Sequence, residues 1–396
     1  MQVKLENKKK YDLTLVIEGR EIIIDSGRLI RTMDTCADAF SCSMPWNPGK
    51  DTKLDDITAP YSFTNCAVYI GGDLQMTGVL YDVTQKKGQD GILKDLEIFT
   101  QTADIIDSTM WPPYEANNIS LIDRCKQQCN PFGIKVIVGD GVNLKVKRKV
   151  LASVKREFLG TYKPRYLFRT LEENINYQAL QKEVDIYKYK IITEEQKFPR
   201  VSAEATETIF SHLRKLAAQR GCLLSCTKYG DLLITKANLS DKPVGTIEDG
   251  GMLANSYEAK FSGRKRFNIY RALTSSSHHS SPNAASIVKD PDVKKPRIFT
   301  FKSNENIPGG GTNAAKWAKN KHIAESMTFP LPVNDWYAPN GKLWEPNTTA
   351  TVKSRILEAT EGYNFLIRQT EFVFAKEGLN STISLIPPFA YTLEGE

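Results

Sequence analysis

Short apolar runs with a period of two dominate the start of the chain. Leu13-Thr14-Leu15-Val16-Ile17 and Arg20-Glu21-Ile22-Ile23-Ile24 flank Glu18-Gly19, which predicts a tight β-hairpin. Strands are expected at Leu29–Met33 and at Ala37–Met44, where apolar and polar residues alternate. Cys66–Ile70 and Leu74–Leu80 around Gly71-Gly72-Asp73 form a second hairpin signal, and Leu93–Phe99 reads as a further strand. That density of short strands predicts a barrel or sandwich, and Trp111-Pro112-Pro113 marks its boundary.

The period then changes. Leu121, Ile122, Cys125 and Cys129 share one face of a helix that Ser120 caps, and Ile134–Val138 follows as a strand. The unit repeats: a helix opening at Ser202 carries Ile209, Phe210, Leu213, Leu216 and Ala217 on one side and ends at Gly221. Strands Leu223–Cys226 and Leu232–Thr235 follow. Two helix–strand units around one small sheet make an α+β domain. From Asn255 onward strands return, at 255–261, 267–273, 327–331, 341–344, 350–353, 363–367, 371–374 and 381–385, with one helix over 313–324.

The expected fold is mainly β with α+β. Two antiparallel β-barrels at 1–110 and 241–396 enclose an α+β domain at 111–240, and a small domain is interleaved at about 290–350. Within the middle domain, about 145–197 stands apart as a basic insert. Lys145, Lys147, Arg148, Lys149, Lys155, Arg156, Lys163, Arg165 and Arg169 face only Glu157, and Phe158, Tyr162, Tyr166 and Phe168 interleave with them. Val150, Val154, Phe158, Leu171, Ile175 and Leu180 fit helical spacing, so a helical or mixed excursion is expected. The unopposed charge suits an acidic protein partner, with nucleic acid as the alternative and a solvated basic face as the plainest reading.

Composition adds limits. The 396 residues carry a net charge of +7, with 41% hydrophobic and 25% charged residues, which is a globular balance with a mild basic excess. No apolar run approaches the roughly 18 residues of a membrane span, and no apolar signal core follows Lys8-Lys9-Lys10. Seven cysteines, two pairs of them spaced Cys125/Cys129 and Cys222/Cys226, read as small buried hydrophobes, with zinc as the alternative. His212, His278, His279 and His322 lie in unrelated contexts, and no motif proposes a carboxylate pair or nucleophile. The Ser-rich stretch 274–285 reads as a loop, and the Gly-rich turn 308–312 lacks the Gly-Lys-Ser/Thr of a phosphate loop. No enzyme, cofactor or metal is expected.

An ordered set of segments resembles the baseplate hub family of phage Mu and its relatives, and more distantly the central hub of T-even phages. The segments are Val68–Val83 with its Gly72-Asp73 turn, Ser202–Thr235 with Gly221-Cys222-Leu223-Leu224 and Gly230-Asp231-Leu232-Leu233-Ile234-Thr235, and Asp290-Pro291-Asp292-Val293 with Arg297. Trp336, Asn340-Gly341, Leu343-Trp344 and Pro346-Asn347 follow, then Phe365-Leu366-Ile367, Phe372, Phe374 and Pro388-Phe389-Ala390. The insert lies outside the resemblance, and Asp335 stands where the family has Gly. The resemblance implies a structural protein of a contractile tail, located in the virion baseplate and assembled in the host cytoplasm. It implies a homotrimer around a channel, with tube-like barrels giving a pseudo-sixfold ring. Its partners would be the tail tube or a tube-initiator protein, the central spike, and a tape-measure protein. DNA would pass during genome ejection without specific binding, and no membrane contact is implied. The competing readings are a nucleic-acid-binding module acting through 145–169 and a tail-associated cell-wall hydrolase.

Overall fold

The computed structural model describes residues 9–88, 91–162, 180–239, 242–253, 256–273, 285–302, 310–375 and 378–391. The chain divides into a main unit, 1–142 with 198–396, and a second unit, 143–197.

The first β body contains β1 (Leu13–Ile17), β2 (Arg20–Ile22), β3 (Ser26–Thr32), β4 (Ala39–Pro45), β5 (Asn65–Ile70), β6 (Asp73–Gly88) and β7 (Gly91–Phe99). They pair antiparallel in the order β3-β4-β7-β6-β5-β1-β2. Only Ile23, Ile24 and Asp25 separate β2 from β3, so the two ends of that order are joined in sequence. Both predicted hairpins are present. Glu18 and Gly19 have φ of 47° and 79°, and Gly71 and Gly72 have 59° and 85°, the left-handed pair that a two-residue turn between twisted strands requires. Glu18 is held in that conformation by the Asn65 amide, which donates to its carboxylate at 2.8 Å. A short helix α1 (Thr52–Ile57), which no apolar period announces, is capped by Asp51.

After α2 (Asp104–Asp107), the middle of the chain forms β8 (Glu115–Ser120), α3 (Leu121–Cys129) and β9 (Val136–Val138). The second unit then supplies β10 (Lys145–Tyr162) and β11 (Leu180–Glu195). The main unit resumes with β12 (Lys197–Ser202), paired to β8, then α4 (Ile209–Ala218), β13 (Leu223–Cys226) and β14 (Leu232–Thr235). Ser120 caps α3 as expected, its hydroxyl accepting from the Asp123 amide at 3.1 Å. The second helix starts later than the sequence suggests: Thr208 is its cap, and Ser202 ends a strand. β14 pairs β13 antiparallel and β9 parallel. This small sheet docks on the first body through the Thr77 amide, which donates to the Lys228 carbonyl at 2.8 Å.

The last third holds β15 (Thr246–Glu248), β16 (Lys260–Phe261), β17 (Ile269–Leu273), β18 (Ala285–Lys289), β19 (Ile298–Lys302), α5 (Gly310–Ser326), β20 (Met327–Val333), β21 (Thr349–Ser354), β22 (Ala359–Ala375) and β23 (Gly378–Ile386). A second β body runs β15-β21-β22-β23-β20-β16, and Leu253, in the chain after β15, bridges Val333 of β20. The two bodies are continuous, because β22 pairs β3 with Phe372 opposite Leu29 in one 13-stranded sheet. One hydrophobic core, from Leu15 and Val68 through Phe329 to Leu385, runs through both. The interleaved small domain is a three-stranded sheet, β18-β17-β19, with α5 beside it at 310–326, so it sits earlier than 290–350. Residues 341–344 form no strand. They belong to a folded loop in which Leu343 bridges Tyr337. Antiparallel pairing dominates both bodies, with parallel pairs only at β15–β21 and β17–β19 in the last third.

Candidate partner-binding site

The insert is the first candidate: where a helical or mixed excursion is expected, the described residues 145–162 and 180–195 form a β ribbon instead, and Leu171 and Ile175 lie outside the described residues. β10 and β11 form an antiparallel ribbon, with Arg148 opposite Ile192, Lys155 opposite Ile186 and Arg156 opposite Asp185. The physical reason lies in the return limb. Val184-Asp185-Ile186-Tyr187-Lys188-Tyr189-Lys190-Ile191-Ile192 is rich in β-branched and aromatic residues, and such residues favour a pleated ribbon over a helix. Register shifts lie between Leu151 and Ser153 and between Phe158 and Thr161.

Lys147, Arg148 and Lys149 stand in register with Thr193, Ile192 and Ile191, and the pairing continues to Tyr162 opposite Leu180. β11 also brings four acids, Glu183, Asp185, Glu194 and Glu195, alongside Lys182, Lys188 and Lys190, so the positive excess is concentrated on β10. Lys163, Arg165 and Arg169 lie outside the described residues.

The cysteine pairs sit in the main unit. Cys125 and Cys129 lie one turn apart on α3, and all seven cysteines are buried thiols. Burial pushes the Cys129 thiol up to about 12 and Cys222 up to about 11. The described residues contain no group of three or more His, Cys, Asp or Glu arranged to hold a metal. His278 and His279 lie outside the described residues. His322 packs against Phe299 at 4.6 Å between ring centroids. His212 is buried on α4, its Nε2 3.4 Å from the Arg124 guanidinium. Burial and Arg124 push it down to about 4, against the opposing pull of Glu207.

No model of a known protein family matches the chain. Over 209 residues, 48% of its length, the chain is 24% identical to the baseplate hub protein gp44 of Escherichia phage Mu, and the match spans about half of that protein, 52%. A 43 kDa tail protein of prophage MuSo2 from Shewanella oneidensis has the same fold with a TM-score of 0.68, at 23% identity over 96% of this chain and 98% of that one. A tail protein of Neisseria meningitidis MC58 has a TM-score of 0.73, at 16% identity over 97% of this chain and 99% of that one. The chain is thus similar in sequence to a baseplate hub protein of phage Mu and in fold to two tail proteins.

The segments that carry the Mu-like resemblance hold the fold together. Trp336 and Trp344 are both 1% exposed. Their indole N–H groups donate to the carbonyls of Asn380 at 3.0 Å and Asp335 at 2.9 Å. Gly341, with φ 79°, turns the loop between them. Asn347 ties β22 to the end of the α+β domain, donating to the Lys236 carbonyl at 2.9 Å and accepting from the Asn238 amide at 2.9 Å. Asp335 accepts from the Tyr11 hydroxyl at 3.2 Å and so links the second body to the first. Several buried polar groups escaped the sequence reading. Arg124 is fully buried and donates to the carbonyls of Pro113 and Tyr114. Lys94 is 1% exposed and donates to the Thr58 carbonyl and hydroxyl.

Proposed function

We propose that this chain is a structural hub subunit of a contractile-tail baseplate that assembles as a homotrimer around a channel. The observation that carries the reading is the continuous sheet through β3 and β22, which fuses two antiparallel β bodies into one rigid subunit. Three such subunits would offer six comparable β platforms. A sixfold tail tube could seat on one side and a threefold spike on the other, and strand edges would be covered at the subunit joints. The β10–β11 ribbon, with Lys147, Arg148, Lys149, Lys155 and Arg156, would contact a neighbouring acidic tail protein, a tape-measure protein among the candidates. DNA would pass the channel without specific binding, and the chain would carry out no catalysis. The place of action would be the virion tail, after assembly in the host cytoplasm.

Light scattering on the purified full chain, alone and with its spike protein, tests this reading. The expected mass is about three times the 44.5 kDa chain for the chain alone, or that mass plus the bound spike where the trimer forms on it. A chain that stays monomeric with the spike present contradicts it.

A further inference from the structure

Two cavities of the main unit meet at Phe261. The first, about 590 Å³, lies between the turn after β16 and the chain leading into β19. Arg264, Lys294, Lys295 and Arg297 line it. Arg297 is anchored, donating to the Arg264 carbonyl at 2.7 Å with its guanidinium 5.0 Å from the Phe267 ring centroid. Arg266 is neutralised by Asp290 at 2.8 Å and Asp292 at 2.9 Å, so it braces the two loops. Arg264, Lys294 and Lys295 make no ion pair with a described residue. Among the described residues, these three cations at one cleft have no counter-charge of their own.

The second cavity, about 270 Å³, shares Phe261, Arg266, Asp292 and Met327 with the first. Its walls include Phe329, Leu357, Tyr363 and Phe365, and Phe261 and Tyr363 stand at 46% and 42% exposure. Asp290, Glu358 and Lys319 also line it, so the pocket is mixed in polarity. Its aromatic and aliphatic wall takes one large side chain as an anchor, and the cations of the adjoining cavity select what surrounds that anchor.

We propose that this paired site binds an extended acidic protein segment, with one aromatic or aliphatic side chain against Met327, Phe329 and Leu357 and flanking carboxylates at Arg264, Lys294 and Lys295. Charge complementarity sets the sign of the partner. The aliphatic part of the wall, Met327 and Leu357, favours a peptide, which can place a non-polar side chain there while its carboxylates reach Arg264, Lys294 and Lys295. The site belongs to the single chain, so it stands or falls separately from the ring proposed above.

Fluorescence polarisation on the full chain tests the proposal, with a labelled peptide Gly-Glu-Glu-Leu-Phe-Glu-Asp-Gly as probe. The peptide should bind, more weakly at higher salt. The exposed-site variant Arg264→Glu/Lys294→Glu/Lys295→Glu should lose about tenfold or more in affinity. Tyr363→Ala should weaken binding about threefold or more without changing the salt dependence, because it acts on the anchor alone. A peptide with Leu and Phe replaced by Ser should bind weakly. Circular dichroism of each variant should match the parent chain. No binding, equal binding of the Ser peptide, or displacement of the probe by a single-stranded oligonucleotide at equal concentration would each overturn the proposal.

Discussion

Lys94 shows what the period of two does when it meets a charge. In β7, Lys94, Leu96 and Ile98 point the same way, and all three are buried. The ammonium lies 4.0 Å from the Trp46 ring centroid, and burial pushes its pKa down. A lowered lysine pKa means that the proton is bound less well in the folded chain, so the charge opposes folding at neutral pH. Lys94→Met should leave stability unchanged or raise it by about 1 kcal/mol in urea unfolding; a loss of about 2 kcal/mol or more would contradict this. His212 gives the opposite test of pH. Its folded pKa of about 4 lies below the ordinary value of 6.5. Its contribution is therefore complete above about pH 6.5 and is lost as pH falls toward 4, by about 2–3 kcal/mol in all. The urea midpoint of the parent chain should fall more steeply over that window than that of His212→Gln, and parallel curves would contradict the assignment. The alternation in β7 was legible in the sequence, but the burial of Lys94 followed only from the neighbouring strands. Arg124 was still less legible, because its partners are carbonyls, which leave no mark in a sequence.

At the scale of elements, hairpins were read most surely. Glu18-Gly19 and Gly71-Gly72 specify turn geometry through their own backbone preferences. Gly78 shows a tighter constraint, since a Cβ there would lie 2.3 Å from the Phe99 carbonyl oxygen on the facing strand. Gly78→Ala should cost about 1–3 kcal/mol by chemical unfolding; a neutral result would mean that β6 and β7 can separate locally. The insert was misread because Val150, Val154 and Phe158 fit a helix when β10 is taken alone. The cue lay in β11, where β-branched and aromatic residues supply the partner strand. Lys145 opposes Glu195 and Val146 opposes Glu194, so the ends of the ribbon are adjacent. Replacing 147–192 with a short Asn-Gly turn should leave the cooperative unfolding of the main unit intact and weaken assembly with a neighbouring tail protein. Loss of folded far-ultraviolet dichroism would show that the ribbon is part of the core.

At the scale of the molecule, the mostly β and largely antiparallel character of the fold was legible from strand density. Its continuity was not. The β3–β22 pairing joins residues such as Leu29 and Phe372, and no local pattern reports a contact so distant along the chain. That pairing also makes the account specific, because two bodies locked in one sheet can present two platforms at a constant angle. Electron microscopy of the purified protein, averaged without imposed symmetry, is the most direct measurement. The account predicts rings of three subunits with a central hole and six similar lobes around one face. Discrete particles of one or two subunits, or rings of another order, would contradict it.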